Sequence, residues 1–311
     1  MKVGVIGCGA FGQNHVRNFS QMPHCELVGV ADIDENRLHF IQDAYAPPIY
    51  REYEDLLKCD LDAVTIAVPT TLHKKVACDV LNKGIHTLVE KPIASTVEEA
   101  ETMIKTAQKE GVKLMVGHVT RFEPTITKLK TMVDNDELGQ VISLSAKRVG
   151  PYHPRIRDVG IIIDLGVHDI DIISYLHKEH AQKVFAVAGR TIHTFEDYAS
   201  ILMSFKSSKS GLVDMNWHTP HKVRKLTAVG TKSIVDIDYL ENSLKNYNSE
   251  WIRDAKISEK EPLRAELEAF LYCIEKDEDV PITGEDGLYV LRVALAAIKS
   301  YQEGREVSLR E

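Results

Sequence analysis

A glycine-rich turn near the start of the chain constrains the fold more than any other feature. The segment Gly7-Cys8-Gly9-Ala10-Phe11-Gly12 matches the pattern GxGxxG and follows an apolar run, Val3–Ile6. A helical pattern follows these glycines. In a strand–turn–helix unit of this kind the first glycine permits a tight turn, the second leaves room for a pyrophosphate, and the third lets helix and strand pack closely. A purely structural strand–helix turn is the alternative. The pattern predicts a dinucleotide-binding βαβ unit whose cofactor contacts are Gly7, Gly9, Ala10, Phe11 and Gly12.

An acidic residue, Asp32, ends the next predicted strand, about 20 residues after the last glycine. A carboxylate at this position accepts hydrogen bonds from the adenosine ribose hydroxyls and repels a 2′-phosphate, which favours NAD over NADP. Two observations leave alternatives open. Asp32 or Asp34 could cap the following helix, and Arg37 could meet a 2′-phosphate if it turned inward. We expect NAD as the cofactor, with Asp32 and Arg37 beside it.

The first 118 residues alternate short apolar runs with helical patterns, which predicts a parallel sheet with helices on both faces, the Rossmann arrangement. Thr96-Val97-Glu98-Glu99 has the form of a capping box that opens one of these helices. The predicted strands are Val3–Ile6, Leu27–Ala31, Ala63–Val68, His86–Val89 and Lys113–Val116, and the clearest helical segments are Val76–Leu81 and Ala100–Ala107.

The pattern changes after about residue 120, where strand-like segments follow one another with few helices between them. We predict an α/β domain followed by an α+β domain: 1–120 as an NAD-binding Rossmann domain with a doubly wound parallel sheet, and 121–311 as a substrate-binding and oligomerisation domain. The second domain should have an open, mainly antiparallel sheet with helices on one face. Its predicted helices are Pro124–Val133, Ile161–Leu176, Arg264–Ile274 and Leu288–Tyr301, and its strands are Val141–Val149, Lys183–Gly189, Ser200–Phe205, Gly211–Trp217, Leu226–Val229 and Ser233–Asp238.

Composition narrows the class of partners. The chain of 311 residues has a formal net charge of −8 and a pI near 5.9, which opposes nucleic-acid binding through basic patches. Its five cysteines are scattered without a CxxC pair, as in a reduced compartment. No apolar stretch has the length of a membrane span or the form of a signal peptide. We therefore expect a cytoplasmic protein with a small-molecule substrate and without a nucleic-acid or membrane partner.

Two further groups of residues are candidates for chemistry. Glu90-Lys91-Pro92 follows a predicted parallel strand, and the carboxyl ends of such strands are where ligands bind. Asp164 and His168 are spaced i and i+4 on a predicted helix, with Asp171 three residues further, so a carboxylate can accompany a histidine base. A helix-surface ion pair is the alternative interpretation. A metal site that includes His118 or His153 is a weaker alternative, because the sequence contains no HxxxH or HExxH motif. We therefore expect no metal.

Taken together, the glycine loop, Asp32, Glu90-Lys91-Pro92 and the Asp164/His168 pair resemble, in order and spacing, the glucose-fructose oxidoreductase / inositol dehydrogenase family. Pro69-Thr70-Thr71-Leu72-His73 and Arg121-Phe122 extend the resemblance over essentially the whole chain. It implies that the lysine and the D-x-x-x-H pair face the nicotinamide, and therefore that Lys91, Asp164 and His168 are catalytic. It also implies cofactor contacts from Pro69, Thr70, His73, Glu90, Lys91 and Arg121.

The segment Arg148–Asp158 limits the choice of substrate, since it contains three arginines together with Tyr152 and His153. Arginine binds phosphate with paired hydrogen bonds and tyrosine can stack, although a polar surface loop would have the same composition. The segment is similar to that of compact family members that oxidise UDP-N-acetylglucosamine at C3. The chain departs from the family pattern at two places. It has one glycine before the D-x-x-x-H pair, and it has His118 where asparagine is common. The expected substrate contacts are Lys91, His118, Tyr152, Arg155, Arg157, Asp164 and His168.

Three alternatives remain open on the sequence. The first is dehydrogenation of a free polyol, inositol or other sugar. The second is a catalytically silent NAD-sensing regulator, since the family includes a protein that keeps the fold without turnover. The third concerns the proton acceptor, which could be either His168 or Lys91.

The resemblance also implies a homodimer or homotetramer formed through the C-terminal sheet.

Overall fold

The structure, a computed structural model, describes residues 1–153 and 159–309. The chain divides into two compact units. The first comprises Met1–Val119 and Glu261–Tyr289, and the second comprises Thr120–Lys260 and Val290–Glu311. Within the described residues no helix is long and apolar enough to cross a membrane.

The first unit contains a six-stranded parallel sheet with the strand order β3-β2-β1-β4-β5-β6. Order reverses between β1 and β4, which places the ends of these strands at the switch point where open α/β sheets bind ligands. The elements are β1 (Lys2–Ile6), α1 (Gly12–Ser20), β2 (Glu26–Ala31), α2 (Glu35–Tyr45), β3 (Ile49–Tyr50), α3 (Tyr53–Leu56), β4 (Ala63–Ile66), α4 (Thr70–Leu81), β5 (His86–Glu90), α5 (Val97–Glu110) and β6 (Leu114–Gly117).

The predicted α/β alternation is confirmed in this unit, and the five predicted strands are all present. The strand predicted over Ala63–Val68 ends earlier, at Ile66, because the chain turns towards α4. The capping residue is also confirmed, since the Glu99 amide donates to the Thr96 hydroxyl at 3.2 Å. The Glu99 carboxylate reaches back to the Ser95 amide at 3.1 Å, so the box closes one residue earlier than its usual form.

The second unit contains a nine-stranded sheet with the order β14-β13-β12-β11-β7-β10-β9-β8-β15. All neighbouring strands are antiparallel except β7 and β10, which run parallel, so the predicted open and mainly antiparallel sheet is confirmed as a mixed one. Its elements are α6 (Pro124–Asp134), β7 (Val141–Pro151), α7 (Val167–His177), β8 (Ala181–Gly189), β9 (Tyr198–Phe205), β10 (Ser210–Asn216), β11 (His218–Gly230), β12 (Ile234–Asp238), β13 (Ser243–Tyr247), β14 (Ile252–Asp254), α8 (Pro262–Glu275), α9 (Gly284–Glu303) and β15 (Val307–Ser308), of which α8 and the start of α9 fall in the first unit.

The sheet of the second unit has one buried and one exposed face. In β9 the buried and exposed residues alternate along the whole strand, as expected for a sheet covered on one side. Helix α7 packs against β7 and β10 on the covered face. Every second residue of β7 and β10 therefore points towards the face that α7 covers.

The segment Glu261–Tyr289 groups with the first unit although it lies far along the chain. At its start, Glu261 accepts hydrogen bonds from Arg17 at 2.5 Å and Asn18 at 3.1 Å, both on α1. Nearer its end, the Ile282 carbonyl accepts from the Val116 amide at 3.2 Å. The boundaries predicted from the sequence, 1–120 and 121–311, place this segment in the second domain. The hydrogen bonds that join it to the first unit connect residues distant in sequence, so no local pattern indicates them.

Candidate active site

The glycine loop of the first unit has the backbone geometry that its glycines suggest. Gly7 has φ +94°, and a Cβ built there would lie 2.6 Å from the Ala67 backbone, which excludes every other residue. A Cβ on Gly12 would overlap the Gly7 carbonyl. A Cβ on Gly9 would meet nothing nearer than the Arg37 guanidinium, 4.0 Å away. The loop is thus tight on its inner side and open above Gly9.

The N-terminus of α1 follows this loop and fits a dinucleotide phosphate. No side chain caps the helix and its first turn contains no acidic residue, so no local carboxylate offsets the positive end of the helix dipole that attracts an anion. Ala10 and Phe11 are exposed at the rim of the loop, and the Phe11 ring packs edge-on against His15 at 5.3 Å. The open face of the loop and the uncapped helix start together match what a pyrophosphate requires.

Asp32 lies at the end of β2, where its carboxylate holds the loop. It accepts from the Cys8 amide at 2.6 Å and from the Asp34 amide at 2.8 Å. Asp34, and not Asp32, is the N-cap of α2, since its side chain accepts from the amides of Asn36 and Arg37. The Arg37 guanidinium lies 3.6 Å from Asp32 and 3.3 Å from Asp34, so it is drawn to the carboxylates.

Lys91 follows the end of β5, where its neighbour Glu90 is held from two sides. The His15 ring of α1 lies 3.0 Å from Glu90 Oε1, and the Lys91 amide donates to Oε2 at 3.3 Å. Gly117, at the end of β6, leaves the space that the carboxylate occupies, because a Cβ there would lie 2.8 Å from Glu90 Oε1. These contacts fix the backbone from which the half-buried Lys91 side chain extends.

His73 ties together the segments that follow β4 and β5. It is 1% exposed, with Nδ1 2.9 Å from the Pro92 carbonyl and Nε2 3.0 Å from the Val68 carbonyl. Burial lowers the pKa of this ring, opposed by the hydrogen bonds to the backbone. Pro69 precedes α4 and Thr70 begins it, both at this edge of the sheet, while His118 is buried just beyond β6. His73 therefore positions the Lys91-Pro92 backbone.

In the second unit, Asp164 and His168 lie where a π-helical turn passes into α7. The turn covers Ile162–Gly166, and α7 begins at Val167, so the single helix predicted over Ile161–Leu176 has a wider first turn. Such turns are frequent at functional sites. Both side chains are half-buried. The His168 Nδ1 lies 3.1 Å from the hydroxyl of Thr120, which is itself buried.

The two aspartates of α7, Asp169 and Asp171, form ion pairs with arginines. Asp169 receives two hydrogen bonds from Arg148 of β7, at 2.7 and 2.8 Å. Asp171 receives bonds from Nε and Nη2 of Arg121, at 2.9 and 2.6 Å. Both acids are 1% exposed. Arg121, expected at the cofactor, thus has its guanidinium engaged by Asp171, and these two pairs fix the rotation of α7 that presents His168.

An aromatic cluster lies at the end of β7, beside the segment expected to bind substrate. The Tyr152 ring is 5.5 Å from Trp217 and 5.4 Å from His193. His153 is exposed. Arg155 and Arg157 lie outside the described residues, so their assignment as substrate contacts stays a prediction. Within residues 1–153 and 159–309, no group of three His, Cys, Asp or Glu side chains is arranged to hold a metal ion.

Three residues of these surroundings were missed by sequence reasoning: His15 beside Glu90, Thr120 beside His168, and Arg224 on β11. Arg224 is half-buried, and burial together with repulsion from Arg148 lowers its pKa to about 10. Burial also raises the pKa of Glu123, although Arg148 opposes the shift. His15 lies one turn into the helix after the glycine loop, which is a weak signal, and no local pattern marks the other two.

Comparison with known families agrees with this geometry. Residues 1–118 match an oxidoreductase family with an NAD-binding Rossmann fold, and residues 126–236 match the GFO/IDH/MocA C-terminal domain. The chain belongs to the GFO/IDH/MocA oxidoreductase family. The resemblance inferred from the glycine loop, Glu90-Lys91-Pro92 and the Asp164/His168 pair is thereby confirmed.

Relatives that are named as dehydrogenases match nearly the whole chain. A UDP-N-acetylglucosamine 3-dehydrogenase from Acidithiobacillus ferrooxidans is 28% identical, with 95% of each chain covered. Its solved structure superposes with a TM-score of 0.91 over 97% of this chain and 98% of that one. A myo-inositol 2-dehydrogenase from Thermotoga maritima is 26% identical over 100% of this chain and 99% of its own.

Family membership and the fit of the glycine loop together define the type of enzyme. The protein is an NAD-linked dehydrogenase of the kind that acts on CH–OH groups. NAD, when bound, supplies the acceptor for a hydride. The residues suited to hold it are the loop from Gly7 to Gly12, the uncapped start of α1, and Asp32 at the end of β2.

Proposed function

We propose that this enzyme oxidises UDP-N-acetylglucosamine at C3 to the 3-keto sugar. The observation that carries the proposal is the full-length similarity to a dehydrogenase with that name, at a TM-score of 0.91. The segment Arg148–Asp158 supports it, because Arg155, Arg157 and Tyr152 are residue types suited to a nucleotide diphosphate.

In this proposal His168 is the general base. The C3 carbon releases a hydride, and the hydroxyl proton leaves to a histidine nitrogen, so that the alcohol becomes a ketone. If Nδ1 donates to the Thr120 hydroxyl at 3.1 Å, the neutral ring keeps its proton there and Nε2 carries the lone pair. We assign Nε2 as the acceptor and Thr120 as the residue that selects this tautomer, with Asp164 stabilising the imidazolium.

Lys91 has a different role in the proposed reaction. Its ammonium group stabilises the negative charge that develops on the C3 oxygen as the proton departs. The bonds that hold Glu90 and Pro92, from His15 and His73, keep the Lys91 backbone in place. General base catalysis of this kind contributes about 10²–10⁴-fold, so each side chain is open to a kinetic test.

The test measures NADH formation when purified protein is incubated with NAD and UDP-N-acetylglucosamine. A coupled aminotransferase with an amino donor removes the keto sugar, since the equilibrium can favour the alcohol. We expect turnover, with a loss of at least about 10²-fold in His168→Ala and in Lys91→Ala while NAD binding is retained. Unchanged turnover in both variants would remove them from the mechanism.

Two other outcomes identify the alternatives. Oxidation of myo-inositol but not of the nucleotide sugar would make this a polyol dehydrogenase, a function that the myo-inositol 2-dehydrogenase relative favours. NAD binding without turnover of any sugar would indicate a regulator. The presence of Lys91, Asp164 and His168 together supports an enzyme over a regulator.

We also propose that the protein forms a homodimer or homotetramer through the exposed face of the second unit's sheet. Phe185, Leu202 and Leu212 lie side by side in register on β8, β9 and β10, and each is at least 40% exposed. A row of large apolar side chains on a sheet face is typical of a protein–protein contact.

A further inference from the structure

Two arginines stand side by side on the covered face of the second unit's sheet. In the antiparallel pair β7–β11, Arg224 is opposite Arg148, and the preceding opposite pairs are Leu226 with Ala146 and Ala228 with Leu144. Directly opposite residues point to the same face, and all four apolar partners are buried. Arg224 and Arg148 therefore extend a buried row, and Arg148 shows by its contact with Asp169 that this face meets α7.

The two arginines differ in how their charges are balanced. Arg148 makes two hydrogen bonds to Asp169 and lies over the Tyr239 ring. Arg224 uses only Nη1, which donates to the carbonyls of Val149 at 3.1 Å and Val223 at 3.4 Å. Across residues 1–153 and 159–309, no carboxylate lies within the 4.0 Å of an ion pair with Arg224. Its Nε and Nη2 have no hydrogen-bond partner in that part of the chain.

The charges and the burial around Arg224 favour the binding of an anion. Burial disfavours its charge most, Arg148 repels it, and Asp169 and Asp164 attract it from a distance. A pKa of about 10 still leaves the guanidinium protonated at neutral pH. A half-buried cation with open donors is more stable when an anion supplies paired hydrogen bonds, and the planar fork of arginine matches the oxygens of a phosphate.

We propose that Arg224 is a substrate-binding residue that receives a phosphate oxygen of a phosphorylated sugar on the same face of the sheet as Asp164. The inference rests on the proposed function and names the part of the substrate that Arg224 selects. A free polyol has no anion for this position, so Arg224 distinguishes phosphorylated sugars from neutral ones.

The experiment compares the binding of UDP and uridine to the NAD-loaded protein by calorimetry, since the two ligands differ only in the diphosphate. The variants are Arg224→Gln, which removes the charge, and Arg224→Lys, which keeps the charge but not the fork. The matched control is Lys225→Gln. Lys225 is the next residue on β11, points to the opposite face, and pairs with Asp238 at 3.5 Å with its side chain 58% exposed.

We expect the wild-type protein and Lys225→Gln to bind UDP more tightly than uridine. Arg224→Gln should weaken UDP binding at least about tenfold, Arg224→Lys less, and neither should change uridine binding. Equal UDP affinity in wild type and both Arg224 variants would overturn the assignment. A wild-type protein that does not prefer UDP to uridine would overturn it as well.

The proposed function has an independent readout in the same preparations. NADH formation from UDP-N-acetylglucosamine by the wild-type protein reports on the reaction, whatever the binding experiment gives. Turnover combined with unchanged UDP affinity in Arg224→Gln would reject Arg224 and keep the function. Turnover of myo-inositol alone, with UDP and uridine bound equally, would reject both.

Discussion

At the scale of single residues, the hydroxyl of Thr120 is expected to set the proton position on His168. Thr120→Val keeps the shape of the side chain but removes the partner of Nδ1, 3.1 Å away, so the wrong tautomer becomes accessible. We expect kcat to fall roughly tenfold with the KM for NAD unchanged, and the pH profile of kcat to shift. Thr120→Ser retains the hydroxyl and should restore most activity. Wild-type kcat and pH profile in Thr120→Val would contradict the role.

Asp32 carries the expected preference for NAD over NADP. Asp32→Ala removes the charge that repels a 2′-phosphate and releases Arg37, 3.6 Å away, to meet one. The ratio of kcat/KM for NADP to that for NAD should rise at least about tenfold. Asp34→Ala is the matched control, since it removes the cap of α2 at a cost of about 1 kcal/mol in stability. A ratio that rises equally in both variants would assign the effect to the helix cap or to the release of Arg37, which also lies 3.3 Å from Asp34, and not to the charge of Asp32.

At the scale of elements, the connection between β8 and β9 is organised by one buried carboxylate. Asp197 accepts from the amides of Thr191 and Ile192, each at 2.6 Å, and from His218 at 2.8 Å. Burial alone would raise the pKa of Asp197, but the bonds from His218 and these amides outweigh it and lower the pKa to about 2. The folded connection therefore holds its carboxylate ionised.

This carboxylate makes stability depend on pH. Because the folded pKa of Asp197 lies below the unfolded value of about 3.9, its stabilisation is complete above that pH and is lost as the pH falls towards 2. Asp197→Asn should lower the free energy of unfolding by about 2 kcal/mol at neutral pH and flatten its acid dependence. Denaturant unfolding at several pH values measures both, with the exposed Asp254→Asn as control. A mutant with the acid dependence of the wild type would contradict the assignment.

At the scale of the whole molecule, self-association should depend on the apolar row on β8, β9 and β10. Leu202 is 48% exposed and lies directly opposite Leu212. Leu202→Glu would place a charge in the centre of the proposed contact, so we expect the wild-type oligomer to dissociate towards monomers in light scattering. Phe40→Glu, on α2 of the other unit, is the control, since Phe40 is also an exposed apolar residue. A monomeric wild-type protein, or an oligomer unaffected by Leu202→Glu, would reject this surface.

Much of the architecture was predictable from local patterns. The glycine loop, the alternation of strands and helices, and the Thr96 cap are properties of residues within one turn or one strand of each other. Short strands such as β3 and β15, with two residues each, were missed because they have no periodicity to detect. The single helix predicted over Ile161–Leu176 begins with a π-helical turn, which the hydrophobic pattern does not reveal.

By itself, the sequence determined the family, the dinucleotide-binding unit and the positions of Lys91, Asp164 and His168 along the chain, because these depend on local order and spacing. Only the tertiary structure decided which side chains contact these residues and their neighbours. His15 meets Glu90 across 75 residues and Thr120 meets His168 across 48, and Arg224 stands beside Arg148 through strand pairing. The physical reason is that strand register and helix packing choose these partners, and neither is encoded in the residues next to them.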